Sequence, residues 1–500
     1  MQLSPLHVRS GICLATVLLA VTTLSRSATA EDIGNDHAVP ARGVSADEGA
    51  FRHLQVLQDI AIANGGNREA GTSGYDRSAR YVADQLKEAG YLVRFEEFDF
   101  LFFEERTPPI LEVGTQGGRW EATPGSAART LTNSGSGNVT AQIGVVNLRL
   151  GAELQPASNS GCEAAHFQDF ERGSIALLRR GTCTFQTKVE NAVAAGAAGV
   201  VIMNEGTEGR KDVFSGQLTR LTSVPVLGVS YEFGRSLDVE ARRGTTIRIA
   251  VDAVTGRRPT RNVLAEMVTN GHGPLIIVGA HLDSVQEGPG INDNGSGSAA
   301  VLEAALRSAR ELAEANVDVR FAFWGAEERG LVGSGHHIAS LSEEERRRIV
   351  LYVNLDMVGS INFVRYVQGP ASVGEGLVTM VRRELLAEFR EHDLPVEERD
   401  GTRTGSDDTS FSQKGIPTIG LYTGAGGPKS EALAGVFGGE AGRPFDPCYH
   451  RACDTIENIN REVLEQNTRA VVRGLSAAAN AVQARGAPTH EALDPSKTKR

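Results

Sequence analysis

Residues 275–283 read Leu-Ile-Ile-Val-Gly-Ala-His-Leu-Asp, an apolar run that ends in a histidine and an aspartate. A run this short and this apolar is typical of a strand buried on both faces of a sheet. Helices and strands alternate after it: a helix over Gly297–Ala315, strands over Val319–Trp324, Val350–Leu355 and Ile416–Leu421, and a helix over Arg461–Gln483. The sequence therefore predicts an α/β fold with a mixed, mostly parallel sheet flanked by helices.

The chain before residue 275 divides into two kinds of segment. The spacing of apolar residues predicts helices over Asp47–Ala63 and Gly74–Glu88, followed by a strand at Tyr91–Phe95. Short buried strands separated by Gly, Ser and Asn turns then follow: Ile143–Val146, Ser174–Leu178, Gly199–Met203 and Val224–Val229, with one helix at about Thr187–Ala195. We therefore predict that residues 131–255 form a β-rich α/β domain inserted into a larger domain of residues 46–130 and 256–485, with a polar tail at 486–500.

Length and charge exclude some classes of protein. A chain of 500 residues exceeds one ordinary hydrophobic core, so about two or three domains are expected. The formal net charge is −11, and no block of basic residues occurs before the last few positions. We therefore expect no nucleic-acid surface.

The N-terminus has the three parts of a secretory signal peptide. Arg9 supplies the positive charge, Gly11–Leu24 form the apolar region, and Ala28-Thr29-Ala30 is a small-residue cleavage site. The apolar region is shorter than the roughly 20 residues of a membrane-spanning helix. We therefore expect a signal peptide at 1–30 that is cleaved near Ala30, a flexible lead-in at 31–45, and a secreted protein without a membrane span. A retained N-terminal anchor is the alternative.

The cysteines fit export to an oxidising compartment. Cys13 lies in the signal peptide, and the four that remain are Cys162, Cys183, Cys448 and Cys453. Four cysteines allow three pairings, and proximity in the sequence favours Cys162 with Cys183 and Cys448 with Cys453. The second bond would enclose His450 in a short loop and hold it in place.

Acidic and imidazole side chains recur at the ends of predicted strands or in adjoining loops. In chain order they are His281, Asp283, Asp293, Glu327, Glu328, Asp356 and His450. Taken singly, each could be a hydrogen-bonded pair, a helix-start acid or a turn residue. Together, beyond the carboxyl ends of strands, they predict a two-metal hydrolytic site for zinc, manganese or cobalt. One adjacent glutamate would be a ligand and the other a general base, and spacing leaves open whether Asp283 is a ligand.

Five segments carry a resemblance to a known family. They are Gly279–Ser284, Asn292–Gly297, Trp324–Glu328, Asn354–Met357 and Cys448–Asp454. In this order they resemble the M28 family of secreted zinc aminopeptidases, over about residues 46–130 and 256–485. The resemblance implies two zinc ions, one held by His281, Asp293 and Asp356 and the other by Asp293, Glu328 and His450.

The same resemblance implies roles for the remaining site residues. Glu327 matches the general base, which would act on a metal-bridging hydroxide. Tyr449 matches a residue that donates to the carbonyl oxyanion. Asp283 matches a carboxylate that orients the ligand His281.

The inserted domain resembles a protease-associated (PA) domain. The matching segments are Gly161-Cys162, Arg179–Phe185, Lys188-Val189 and Ala194–Asn204. The resemblance implies a role in substrate access or in contact with another protein, rather than in catalysis. A packing module without a ligand of its own is the alternative.

One segment departs from the family pattern near the expected substrate site. Related aminopeptidases have an arginine directly before a Ser-Asp-His run, whereas this chain has Gly405–Asp408 with Arg403 two residues earlier. We expect Arg403 to contact the substrate. Phe411 and Tyr422 would form apolar walls that favour a large hydrophobic N-terminal residue.

The sequence therefore predicts a secreted zinc-dependent aminopeptidase that acts on peptide or protein N-termini. A carboxypeptidase of the same family would need cationic groups for the substrate carboxylate, and a glutaminyl cyclase would typically use a single zinc. A non-catalytic binding module on this scaffold would usually have lost ligands. Calcium remains open as an additional ion.

Overall fold

The structure is a computed structural model that describes residues 49–114, 120–122, 127–150, 158–267, 273–314, 318–370, 376–401 and 405–485. The predicted signal peptide, lead-in and polar tail lie outside the described residues, and so does Arg403.

Within the described ranges, fourteen strands join in one sheet. They are β1 Leu92–Gly114, β2 Trp120–Ala122, β3 Ala128–Thr130, β4 Gly137–Val145, β5 Ile175–Arg179, β6 Gly199–Met203, β7 Val226–Val229, β8 Thr246–Met267, β9 Leu275–His281, β10 Asp318–Trp324, β11 Ile349–Leu355, β12 Tyr366–Gly369, β13 Glu397–Asp400 and β14 Thr418–Tyr422.

The helices flank this sheet or connect its strands. They are α1 Gly49–Ala63, α2 Ser73–Glu88, α3 Phe185–Ala194, α4 Tyr231–Arg242, α5 Gly297–Glu314, α6 Val332–Ser340, α7 Glu343–Arg348, α8 Leu377–Glu391, α9 Asp408–Ser412, α10 Glu431–Phe437 and α11 Arg461–Arg485. Short 3-10 helices lie at Ala164–Phe167 and Ile456–Asn458, and a π-helical turn lies at Ile291–Ser296.

The larger domain has a mostly parallel sheet in the order β13-β12-β14-β11-β9-β10-β8. Strands β14, β11, β9 and β10 run parallel, β8 is antiparallel to β10, and β12 is antiparallel to β14. The predicted mixed, mostly parallel sheet flanked by helices is confirmed.

Apolar residues of the central strands enter two cores, one on each face of the sheet. Successive side chains of a strand point to opposite faces, so Val278 packs in the core with α1, α2, α5, α8 and α11. Its neighbour Ile277 packs with Ile338 of α6 and Phe411 of α9. Burial on both faces explains why β9 is apolar throughout.

Two long antiparallel strands, β1 and β8, lie between the mostly parallel part of the sheet and strands β4 to β7. Strand β1 pairs with β8 from Leu92 opposite Glu266 to Val113 opposite Ile247. The predicted strand at Tyr91–Phe95 was therefore much too short, because charged residues and Pro108-Pro109 hide the apolar pattern of its second half. Beyond β8, strands β4, β5, β6 and β7 continue the sheet, and β4 to β7 run parallel to one another.

The structure contains disulfides at both of the expected pairings. Cys162 is bonded to Cys183, and Cys448 is bonded to Cys453. Within the described ranges, each helix is too short or too polar to cross a lipid bilayer.

Candidate metal centre

Three neighbouring strands deliver the predicted metal-centre side chains to one edge of the sheet. Strands β11, β9 and β10 lie side by side and parallel, with Trp324 in register with His281. His281 ends β9, Glu327 and Glu328 follow β10, and Asp356 follows β11. Because the carboxyl ends of parallel strands share an edge, these residues meet although they are far apart in sequence.

His281 lies at the centre of the cluster. Its Nε2 is 3.4 Å from Oδ1 of Asp293, 3.6 Å from Oδ1 of Asp356 and 3.8 Å from Oε2 of Glu327. Its Nδ1 is 3.2 Å from the backbone oxygen of Asp283. A carbonyl oxygen can only accept, so Nδ1 carries the hydrogen and Nε2 is left to bind a metal.

Asp293 joins this group to a second histidine. Its Oδ2 lies 3.1 Å from Nε2 of His450, which is 3.2 Å from Oε2 of Glu328. One oxygen of Asp293 thus faces each histidine, which is the arrangement that a bridging carboxylate requires. The structure brings all the predicted ligands together.

Both oxygens of Asp283 are engaged by the backbone of the two adjacent glutamates. Glu327 N–H donates to Oδ1 at 3.1 Å, and Glu328 N–H donates to Oδ2 at 3.3 Å. Nδ1 of His281 is 3.7 Å from Oδ1. This geometry favours a supporting carboxylate over a metal ligand, the choice that spacing alone left open.

Arg68 supports the backbone of the candidate metal centre, a role that was not predicted from the sequence. Its guanidinium is fully buried and donates to the backbone oxygens of Pro289 at 2.9 Å, Gly290 at 2.6 Å and Leu282. These carbonyls belong to the two segments that carry His281 and Asp293. Burial lowers the pKa of Arg68 to about 10, well above neutrality. In the sequence, Arg68 is a lone arginine after Gly65-Gly66-Asn67. Such a position does not by itself indicate a functional site.

The polar contacts of two further residues were also missed. Ser406 Oγ donates to Oδ2 of Asp356 at 2.6 Å. Asp454 accepts the backbone N–H groups of Asn292 at 2.9 Å and Asp293 at 3.0 Å. These residues fix the loops that carry ligands. They contact backbone N–H groups or a ligand oxygen, and the spacing of residues in the sequence does not indicate such contacts.

Backbone strain is concentrated around the centre. Ala326, Met357 and His450 have positive φ angles of 57°, 54° and 57°, although none is a glycine. Ala326 precedes Glu327, Met357 follows Asp356, and His450 is itself a predicted ligand. Such conformations cost roughly 1–3 kcal/mol each and are typical of functional sites, where the surrounding structure enforces them.

The electrostatics of the cluster reflect several acids in a buried space. Burial, together with the charge of Glu328, raises the pKa of Glu327 well above its usual range despite the opposing effect of His281. Burial and Asp293 raise the pKa of Glu328 to about 7. Hydrogen bonds to Asp293 and Glu328 overcome burial and raise the pKa of His450 to about 10. Divalent cations would offset this excess of negative charge.

The donor set fits divalent metal ions. His281, Glu327 and Asp356 offer donor atoms within 4.8 Å of one another, and so do His281, Asp293 and Glu328. Oε1 of Glu328 is buried and accepts no hydrogen bond from the described residues. Imidazole nitrogen and carboxylate oxygen without thiolate suit a catalytic ion of the zinc, manganese or cobalt type.

The donor atoms line a cavity of about 250 Å³. Tyr449 also lines this cavity, and its ring stacks on the ring of His450 with ring centroids 3.9 Å apart. Phe411 does not reach the cavity, because it is buried against Tyr352 with ring centroids 3.8 Å apart. Tyr422 stacks on Tyr366 and is likewise absent from the described lining. The structure therefore does not bring these two predicted substrate contacts to the site.

Comparisons with known proteins identify the family of the chain. Residues 262–474 match the model of peptidase family M28, and residues 147–237 match that of the PA domain. An aminopeptidase of Pseudomonas aeruginosa is 41% identical over 438 residues, which cover 84% of this chain and 78% of that protein. The chain belongs to peptidase family M28. The predicted class of enzyme, a metallo-aminopeptidase with a PA domain, is confirmed.

Two further relatives extend the similarity over most of the chain. Leucine aminopeptidase 2 of Arthroderma otae is 32% identical over 488 residues, covering 94% of this chain and 92% of that protein. The solved structure of an aminopeptidase from Aneurinibacillus sp. strain AM-1 is 27% identical with a TM-score of 0.62, covering 87% of this chain and 93% of that one.

Proposed function

We propose that this M28 peptidase is a secreted aminopeptidase that uses two zinc ions to release large hydrophobic N-terminal residues from peptides. The observation that carries the proposal is the position of Asp293, with one carboxylate oxygen toward His281 and the other toward His450. In this proposal His281, Asp293 and Asp356 hold one ion, and Asp293, Glu328 and His450 hold the other. The printed names of the relatives support the aminopeptidase activity.

Glu327 is the proposed proton carrier. When bound, the two ions would activate a water molecule and polarise the substrate carbonyl. Glu327 would take the proton of the attacking water and then return it to the leaving amine. Its buried carboxylate lies beside the metal ligand His281, with Oε2 3.8 Å from Nε2, a position that suits a group that must hold a proton between these steps.

Tyr449 is the proposed donor to the oxyanion. Its side chain lines the cavity beside His450, and a phenol that donates to developing negative charge stabilises the transition state. The disulfide between Cys448 and Cys453 encloses both residues in one short loop. In this proposal the bond keeps the phenol and the imidazole at a constant distance from the carbonyl.

The described lining of the cavity offers no cation for the carboxylate of a carboxypeptidase substrate. This described lining includes four acidic side chains and no lysine or arginine. A carboxypeptidase would need a cation for the substrate carboxylate, so the lining supports the aminopeptidase alternative. The preference for a large hydrophobic residue is supported by Leu331 in the wall and by the name of the leucine aminopeptidase relative.

Export and domain organisation complete the proposal. The N-terminal pattern that ends near Ala30, together with two disulfides in the described residues, supports secretion. Residues 131–255 are proposed as the PA insertion, which would control access to the centre. Calcium is not included, because both groups of metal-competent residues found in the described ranges belong to this centre.

The test compares leucine p-nitroanilide with its N-acetylated counterpart. Purified protein should hydrolyse only the free-amine substrate, lose activity to a chelator and regain it with zinc. Glu327→Gln should keep its zinc content but lose at least about 100-fold in kcat, since general base catalysis contributes roughly 10²–10⁴-fold. Equal hydrolysis of the acetylated substrate, or full activity of Glu327→Gln, would contradict the proposal.

A further inference from the structure

The PA domain contributes one side chain to the lining of the metal-centre cavity. Gln217 lies in the segment matched by the PA domain and lines the same cavity as His281 and Glu327. Its side chain approaches the loop after the two glutamates closely. A Cβ built on Gly330 would lie 3.6 Å from Nε2 and 3.8 Å from Oε1 of Gln217. A carboxamide from a different domain therefore forms part of the rim.

The backbone of Gln217 is held firmly, although its side chain is exposed. Residues 216–218 pair with Thr132 through Thr132 N–H to Gly216 O at 2.8 Å and Leu218 N–H to Thr132 O at 3.0 Å. Asn133 Nδ2 donates to Leu218 O at 2.7 Å, and Leu218 is fully buried. The position of this side chain is thus set by the PA core and not by a free loop.

The carboxamide retains hydrogen-bonding capacity toward the cavity. Nε2 donates to Arg329 O at 3.4 Å, a long bond that uses one of its two hydrogens. Oε1 accepts no hydrogen bond from any residue that the structure describes. One donor and one acceptor side by side match the C=O and N–H of a peptide group.

The size of the cavity indicates which part of a substrate reaches Gln217. At about 250 Å³, it is smaller than the roughly 300–1,000 Å³ of sites that enclose a drug-sized ligand. It can enclose little more than the N-terminal residue, whose scissile carbonyl must lie beside Glu327 and the metal ligands. The remaining peptide must then pass along the rim.

We propose that Gln217 of the PA domain binds the peptide group that follows the scissile bond, so that the PA domain selects peptides over shorter N-terminal amides. This inference rests on the proposed aminopeptidase function and adds a specificity residue to it. Gln217 does not touch the reacting atoms in this account. It should therefore affect KM and leave kcat nearly unchanged.

The experiment compares Leu-Gly-Gly, which has a peptide group after the scissile bond, with leucine p-nitroanilide, which has none. Gln217→Met keeps the length of the side chain but removes its hydrogen bonds. It should raise KM for Leu-Gly-Gly roughly three- to tenfold, the value of one net hydrogen bond, and change KM for the anilide less than twofold. The control is Gln168→Met, an exposed PA-domain glutamine that is absent from the described cavity lining. It should change neither.

The outcomes separate the two proposals. Zinc-loaded wild-type protein that hydrolyses neither substrate would overturn the proposed function and this inference with it. Wild-type activity on both substrates, with Gln217→Met changing both KM values equally or changing neither, would overturn the inference alone. An equal change would point to a shifted PA domain, which a reduced melting temperature of the variant would also reveal.

Discussion

Replacing Asp283 by asparagine tests how the two adjacent glutamates are held. The carboxylate accepts Glu327 N–H at 3.1 Å and Glu328 N–H at 3.3 Å, one on each oxygen. Asparagine has a single side-chain oxygen, so one N–H would face an NH₂ group and lose its acceptor. A hydrogen bond to a charged group contributes roughly 1.5–3 kcal/mol, and we therefore expect D283N to lower the free energy of unfolding by about 2 kcal/mol.

Metal binding should show the same change. Asp283 supports the peptide groups of both glutamates and lies 3.7 Å from Nδ1 of His281, so its replacement disturbs ligands on both sides of Asp293. Loss of a carboxylate that orients metal ligands costs about 10–100-fold in affinity. The assay titrates metal-free protein with zinc against a chromophoric chelator, with Asp84→Asn on the exposed face of α2 as the control. Wild-type zinc affinity and stability in D283N would refute the reasoning.

Three other changes test separate parts of the structure. Arg68→Lys should weaken zinc binding about tenfold in a calorimetric titration, because one ammonium cannot span the three carbonyls that the guanidinium reaches, and unchanged affinity would contradict this. Replacing Cys448 and Cys453 by serine should cost about 2 kcal/mol of stability, since the closed loop is short. The same change should lower kcat at saturating zinc, because His450 is released. A loss of stability without a loss of kcat would count against this role of the disulfide. Burial raises the pKa of the Glu303 carboxyl group, but a histidine and two arginines outweigh burial and hold that pKa at about 2, below the usual 4.5. The stabilisation from the ionised carboxylate is therefore present above about pH 5 and is lost as the pH falls toward 2. Glu303→Gln should therefore melt below wild type at pH 7 and together with it near pH 2, and an equal difference at both pH values would exclude this role.

The meeting of the candidate ligands could be predicted because several of them are local signals at strand ends. His281 and Asp356 stand directly at or after apolar runs, and the fold rule for parallel sheets then brings them together. Arg68 could not be predicted in the same way. It acts through carbonyl oxygens of segments more than 200 residues away, and sequence pattern carries no information on which backbone groups an arginine will meet.

The substrate wall and the long strands required tertiary information. Phe411 is a large apolar residue of the kind that lines pockets, but helix α9 directs its side chain into the core against Tyr352 and Trp324. The length of β1 depends on its pairing with β8, which continues on either side of an irregular stretch between Glu105 and Ile110 that contains both prolines. Helix α4 was not predicted, because its mostly polar sequence shows only a narrow apolar face at Tyr231 and Leu237.

The most direct test of the account is anomalous diffraction at the zinc edge from crystals of zinc-loaded protein. We expect two peaks roughly 3.5–4 Å apart, one on each side of the Asp293 carboxylate. One should lie near His281 and Asp356, and the other near Glu328 and His450. A single peak, or two peaks that do not share Asp293, would contradict the central claim.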